Sequence, residues 1–292
     1  MDKILNQLQG STFHLSDIIY DFLSDKYEKH ISEPIPEIIS EGFHPESFRE
    51  MIHRHRSQFM TEEYLNSRLL NPTSGTVDHI HSEIAASTAV RRGKQQGYSG
   101  YPLELLRCAG HMHDSDRSYP ETMIAGEQKA RHDPEAYRMY KMLHVKNSAL
   151  MAKQLAESVN NDGFYFHEGF INDLQYLILR HEIGGVKNHG DTILNASGVE
   201  FSIDLDRLTD ILTDSDSLSY FETNILTNWE ESNKSELVLT NKVHFMYDRM
   251  SQDARRELKE TKLNSTSHLL GTIETEDPDV NAIRSILLKV CL

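Results

Sequence analysis

Apolar residues recur along this chain at three- and four-residue steps with polar positions between them, the period of an amphipathic α-helix. In SDIIYDFLSDKYEKHI, residues Ile18, Ile19, Phe22 and Leu23 follow that step behind Ser16, an N-cap candidate, and Pro34 and Pro36 end the segment. Further helices are expected in PESFREMIHRHRSQFM and TEEYLNSRLL. After them NPTSG reads as a loop and as the boundary of an N-terminal helical extension, residues 1–74. Then come HSEIAASTAVRRG, rich in alanine and stopped by Gly93, and PLELLRCAGHMHD, short and apolar. The long PEAYRMYKMLHVKNSALMAKQLAESV offers Tyr137, Met142, Val145, Leu150, Met151 and Leu155 as core candidates. INDLQYLILRHEI follows it, and a polar loop, GGVKNHGDTILNASG, leads into DLDRLTDILTDSDSLSYFETNIL, with Phe201 and Ile203 at its entrance. NKVHFMYDRMSQDARRELKET and PDVNAIRSILLKVC are both helical by the same criterion, the first with an apolar face that reads as core. GVEFSI is the single short strand candidate. The pattern predicts an all-α protein: an extension over 1–74, a main body over 75–225, and C-terminal helices over 226–292 that pack on it.

Composition narrows the partners more than the fold. A chain of 292 residues with 38% hydrophobic and 26% charged residues suits one large globular domain or two small ones. The formal charge of −15 argues against a general binder of nucleic acid or of anionic membranes, since both need a basic footprint. Cys108 and Cys291 make neither a disulfide framework nor a thiolate zinc site, and Cys108 reads as a core residue. The first residues, MDKILNQLQGSTFHLSDII, carry acids early and lack the apolar core of a secretory signal. No run approaches the roughly 18 apolar residues of a membrane span, so a cytoplasmic location is expected.

The sixteen histidines change the picture. His53 and His55, with Arg54 and Arg56, read as a solvated helix face. His132-Asp133 precedes a proline at a helix start, with Asp133 as a cap candidate. Five other places differ, because each stands in or beside an apolar helical segment: His81 (with His79 as its competitor), His113-Asp114, His144, His181, and Asp214 or Asp216. Helical bundles build metal sites by projecting such residues inward from separate helices. Imidazole with carboxylate suits zinc, iron, nickel and manganese. Arg180, Lys242, Arg249 and Arg255 are candidates for a basic pocket edge, with surface ion pairs as the simpler alternative. Tyr137 and Lys141 share a face with His144.

The order His81, then His113-Asp114, then Asp216 resembles the H…HD…D signature of the HD superfamily of metal-dependent phosphohydrolases. HSEIAASTA looks like that family's first-helix motif, LLRCAGHMHDSDR like its helix end carrying the HD pair, and DSDSLSYF like the segment of its last ligand. The resemblance covers roughly residues 75–225. It implies one or two divalent ions (manganese, iron, nickel, zinc or magnesium) on His81, His113, Asp114 and Asp216, with His144 and His181 where two-metal members carry additional histidines. Asp216 is preferred over Asp214 because it matches the family spacing to Leu218. The implied activity is hydrolysis of a small phosphorylated anion, a phosphomonoester or phosphodiester, by a metal-activated water. Asp114 is the implied bridge, and His144, His181 or Arg117 would hold phosphate oxygens or protonate the leaving group. The sequence departs from the family at Asp116-Arg117, where a glycine-lysine pair is usual. Arg117 can replace that lysine with a bidentate grip, whereas Asp116 also reads as a cap or salt-bridge residue. The same ligands resemble those of HD-type di-iron oxygenases, and a non-catalytic nucleotide sensor or interaction module is a third possibility. A homo-oligomer built on the N-terminal helices is compatible with all three.

Overall fold

Helices account for most of the computed structural model, which describes residues 45–58, 72–118, 134–163, 166, 168–182, 192–196, 199–263 and 278–291. In chain order they are α1 (Pro45–Gln58), α2 (Pro72–Gln95), α3 (Tyr101–Met112), α4 (Pro134–Asn161), α5 (Glu168–Arg180), α6 (Leu205–Thr223), α7 (Ile225–Glu231), α8 (Glu236–Asp248), α9 (Gln252–Glu257) and α10 (Pro278–Cys291). A 3-10 turn, Ser115–Ser118, follows α3, and a π turn, Leu258–Leu263, continues α9. Among the described residues the strands are β1 (Thr192–Ala196) and β2 (Val199–Ile203), an antiparallel hairpin with Leu194 opposite Phe201. The architecture is therefore all-α with one small hairpin. The helices expected at 16–31 and 61–70, and the His132-Asp133 pair, lie outside the described residues.

Several expectations need correction. NPTSG is not a loop throughout: Pro72 occupies the first turn of α2, where its missing N–H leaves no helical bond unmade, and the helix runs on through Thr73, Ser74 and Gly75. Gly93 does not stop α2. The helix continues to Gln95, and the chain turns at Gly97, whose φ of +87° disfavours a side chain. Gly93 instead faces α3, where a Cβ would lie 2.8 Å from Leu103 and Leu106. TILNA, placed in a polar loop, pairs as β1 with the expected strand. The helix expected over 241–261 breaks at Arg249, because Ser251 caps a new one by accepting from the Ala254 N–H. His55 is buried and only His53 of that pair is exposed. Arg54 is tied to Glu50, Ser158 and Asp162. On α4, Met142 and Leu150 are exposed, while Val145 and Leu155 pack inward with Ala149, Ala152 and Ala156.

Two apolar clusters flank the middle of the molecule. One joins Phe48 and Met51 of α1 to Leu105, Leu106 and Met112 of α3, Phe170 and Leu174 of α5, and Leu208 and Leu212 of α6. The other joins Ile80 and Ile84 of α2 to Phe221 of α6, Trp229 of α7, Val243 and Met246 of α8, and Ile283 and Leu287 of α10. Each fully buried large side chain in them contributes about 1.5–3 kcal/mol. Helices α2 and α6 serve both clusters, and the polar residues between the clusters are buried. Every residue of α6 from Ile211 to Thr223 is buried although the segment is rich in polar side chains. Its hydroxyls make that tolerable. Thr213, Ser215, Ser217 and Thr223 each donate to the carbonyl four residues back, at 2.6–2.9 Å, so no hydroxyl among them is left dry.

Candidate metal centre

Five helices deliver polar groups to the space between the clusters. His81 comes from the middle of α2, His113 and Asp114 from the end of α3, His144 from α4, His181 from the residue after α5, and Asp216 from α6. All six are buried, His113, His144 and His181 completely. Three overlapping sets each bring their donor atoms within 4.8 Å of one another and could hold a metal ion: His81 with His113 and Asp114, His113 with His181 and Asp216, and Asp114 with His144 and His181. The helix ends matter here. His113 and His181 stand where α3 and α5 stop, so each ring can donate Nδ1–H to a carbonyl of its own last turn, Gly110 at 2.8 Å and Ile178 at 2.6 Å. That turns both Nε2 atoms inward, the orientation a cation requires.

The distances are those of a crowded site. His81 and His113 bring their Nε2 atoms to 3.3 Å, and Asp216 Oδ1 lies 3.0 Å from the first and 3.4 Å from the second. Asp114 Oδ1 is 2.9 Å from His144 Nε2, while Oδ2 is 3.7 Å from His113 Nε2 and 3.0 Å from Arg117 Nε. His181 Nε2 has no hydrogen-bond partner, and a fully buried nitrogen left so is costly unless something else uses its lone pair. This orphan, aimed among carboxylates and imidazoles, is the observation by which the residues fit a metal.

Electrostatics points the same way. Burial opposes ionisation of Asp114, yet Arg117, His113 and His144 hold its carboxyl well below the usual range. Burial likewise opposes ionisation of Asp216, and Arg249 and His113 outweigh it. Burial would lower the pKa of His144, but Asp116 and Asp114 raise it to about 9. The pocket therefore demands positive charge. His181 goes the other way: burial carries it down to about 4, so its ring is neutral near pH 7.

Asp214 and Asp216 have different partners. Asp214 accepts from Arg92 at 2.7 Å and from the Ser251 N–H and hydroxyl, in a network that also holds Glu257. Asp216 is the one that faces the histidines. Asp116 accepts from His144 Nδ1 at 2.6 Å and from Ser148 Oγ at 3.0 Å, so it orients the ring with Nε2 toward Asp114. An Asp116→Asn variant is expected to bind divalent metal about 10–100-fold more weakly, read by competition with a fluorescent chelator. Unchanged affinity would show that His144 needs no such support.

Of the basic candidates, Arg249 reaches the site through Asp216, Lys242 lies over the Phe245 ring, and Arg180 and Arg255 do not reach it; Lys141, on the His144 face, meets it through Glu182. Arg255 donates to the carbonyls of Tyr247 and Asp248, closing the turn between α8 and α9, and Arg180 lies over the Tyr176 ring. The side chains of Tyr137 and His79 lie outside the described residues. Glu182 was not singled out from sequence, yet it lines the centre: Oε1 is 3.8 Å from His181 Nε2 and 4.0 Å from His144 Nε2. The signal available was its place directly after His181.

A helical structure around a buried His/Asp cluster is compatible with an HD-like fold. Comparison of the chain with family models, with curated proteins and with solved structures gives no match. Among the described residues no helix is long and apolar enough to cross a membrane.

Proposed function

We propose that the protein is a metal-dependent phosphohydrolase of the HD type, acting on a phosphomonoester or phosphodiester such as that of a nucleotide. The observation that carries this reading is the divided carboxylate of Asp114. Its Oδ1 faces His144, and its Oδ2 faces His81 and His113 at 3.8 and 3.7 Å. A carboxylate turned toward two separate sets of imidazoles is what a pair of cations needs as a bridge. His81, His113 and Asp216 would complete one position, and His144 and His181 the other. The nitrogen and oxygen donors suit manganese, iron, nickel, zinc or magnesium, and both cysteines are buried elsewhere as free thiols. Bound there, the ions would supply a water acidic enough to attack near pH 7 and positive charge for the leaving oxygen.

The chain's own residues supply the rest. Arg117 keeps Asp114 ionised and, being 19% exposed, presents its guanidinium to an arriving phosphate. Asp116 holds the His144 ring in one orientation. Burial between the two apolar clusters lowers the local dielectric, which strengthens the charge interactions within.

Metal content by mass spectrometry, beside a panel of phosphoesters, tests the reading. Protein purified without chelator is expected to carry about two divalent ions per chain and to hydrolyse a phosphoester, and His113→Ala to lose both. Full turnover in that variant overturns the assignment. Two irons, oxygen uptake and no phosphoester turnover would transfer it to the HD-type di-iron oxygenases, whose ligand set is the same.

A further inference from the structure

Three cations converge on one aromatic ring at the edge of the histidine cluster. Lys141 Nζ lies 5.7 Å from the centre of the Phe245 ring, Lys242 Nζ 5.3 Å, and the Arg249 guanidinium carbon 5.1 Å. They come from two elements, Lys141 from α4 and the others from α8 and the residue that ends it. Like charges brought so close repel, and a chain of formal charge −15 has no general surplus of cations to place there. One carboxylate joins two of them. Glu182 accepts from Lys141 at 2.5 Å through Oε1 and from Arg249 at 2.8 Å through Oε2. The three side chains of this bridge are only 9–12% exposed. Glu182 also stands within 4.0 Å of His144 and His181, so the cationic group and the candidate metal ligands share a wall.

We propose that Lys141, Lys242 and Arg249, gathered on Phe245, form the site for a phosphate group of the substrate, and that the Glu182 carboxylate occupies this site until substrate displaces it. The inference rests on the phosphoester reading of the neighbouring cluster and extends it by naming the groups that recognise the anion. The chemistry is substitution of one anion by another. Departure of Glu182 frees Nη1 of the Arg249 guanidinium for an incoming oxygen, and Lys141 is a point charge that follows whichever oxygen is near. A phosphate dianion brings more charge and more acceptor oxygens than a carboxylate does, so it can meet three cations where Glu182 joins two. Glu182 lies beyond the last helical residue of α5, Arg180, and its displacement breaks no helical turn. Arg249 also donates to Ser217 at 2.8 Å and to Asp216, which keeps the guanidinium in place as Glu182 leaves.

The test is direct binding of inorganic phosphate to the metal-containing protein by titration calorimetry, with metal content measured on the same samples. Glu182→Gln is expected to bind phosphate about tenfold more tightly than the natural protein, and Lys141→Met about tenfold more weakly, with metal content unchanged in both. Equal phosphate affinity in the natural protein and Glu182→Gln would overturn the displacement while leaving the phosphoester reading intact. Loss of metal from Glu182→Gln would overturn it differently, by making Glu182 a ligand. Metal-loaded protein that binds no phosphate in any form would overturn this site, and hydrolysis by the same protein would show that the phosphoester reading survives it.

Discussion

Asp114→Asn is expected to bind no more than about one divalent ion per chain and to lose at least about a thousandfold in phosphoester turnover. The substitution keeps the volume of the side chain, so the packing at the end of α3 is undisturbed. What changes is the charge and one of two acceptor oxygens. An amide can offer its oxygen either to His144 or to the His81–His113 side, where Asp114 now serves both. The amide nitrogen must then face a donor or a lone pair that belongs to the other set. Arg117, 3.0 Å from Oδ2, also loses its anionic partner and with it the orientation argued for phosphate. Three measurements on one preparation separate these effects: metal content, turnover with saturating metal, and the melting temperature without added metal. Full metal content with full turnover would remove Asp114 from the centre of the mechanism.

The second large effect lies outside the cluster. Gly110→Ala is expected to destabilise the protein by about 3 kcal/mol or more, and to weaken metal binding with it. A Cβ at Gly110 would sit 2.4 Å from Ala86 Cα and 2.7 Å from its backbone nitrogen. No rotamer relieves a clash with backbone, so α2 and α3 must separate or slide. His81 and His113 ride on those two helices and meet at 3.3 Å, so a shift of even an ångström changes the gap a cation would fill. Gly93→Ala on the same interface is the control. There the Cβ meets only the tips of Leu103 and Leu106, which can rotate away, at a cost of about 1 kcal/mol. Urea unfolding of the two variants decides the matter. If Gly110→Ala costs no more than Gly93→Ala, close approach of α2 and α3 is not what positions the two histidines.

The helices were legible in the chain because their apolar stripes are local, and His81, His113, His144, His181 and Asp216 could be picked out because each interrupts such a stripe. The choice between Asp214 and Asp216 was not legible from the residues alone. Two positions apart, they point roughly 200° apart around a helix, and only the arrival of Arg92 from 122 residues away assigns Asp214 to an ion pair. The depth of α6 was hidden for a related reason. Its serines and threonines look like a solvated face, and the bonds that let them be buried run back to the helix's own carbonyls. Arg249 and Lys141 could be singled out, one for a basic pocket edge and one for the face it shares with His144, but Glu182 could not, since nothing in a linear pattern shows that the residue after His181 joins them. NPTSG misled because proline, serine and glycine signal a loop, whereas a proline in a first turn also begins a helix.

The long separation of the groups that meet in the cluster has a consequence for how the protein is made. His81 touches Asp216 across 135 residues, so the contact closes a very large loop, and such contacts form late because their entropy cost precedes their reward. At about 5–20 residues per second of synthesis, that span alone takes roughly 7–27 s. Throughout that interval the histidines of α2 and α3 exist without the carboxylate of α6. A nascent chain thus presents only part of this donor set to cellular cations, and any selection among them would fall to the finished pocket rather than to the order in which the donors emerge.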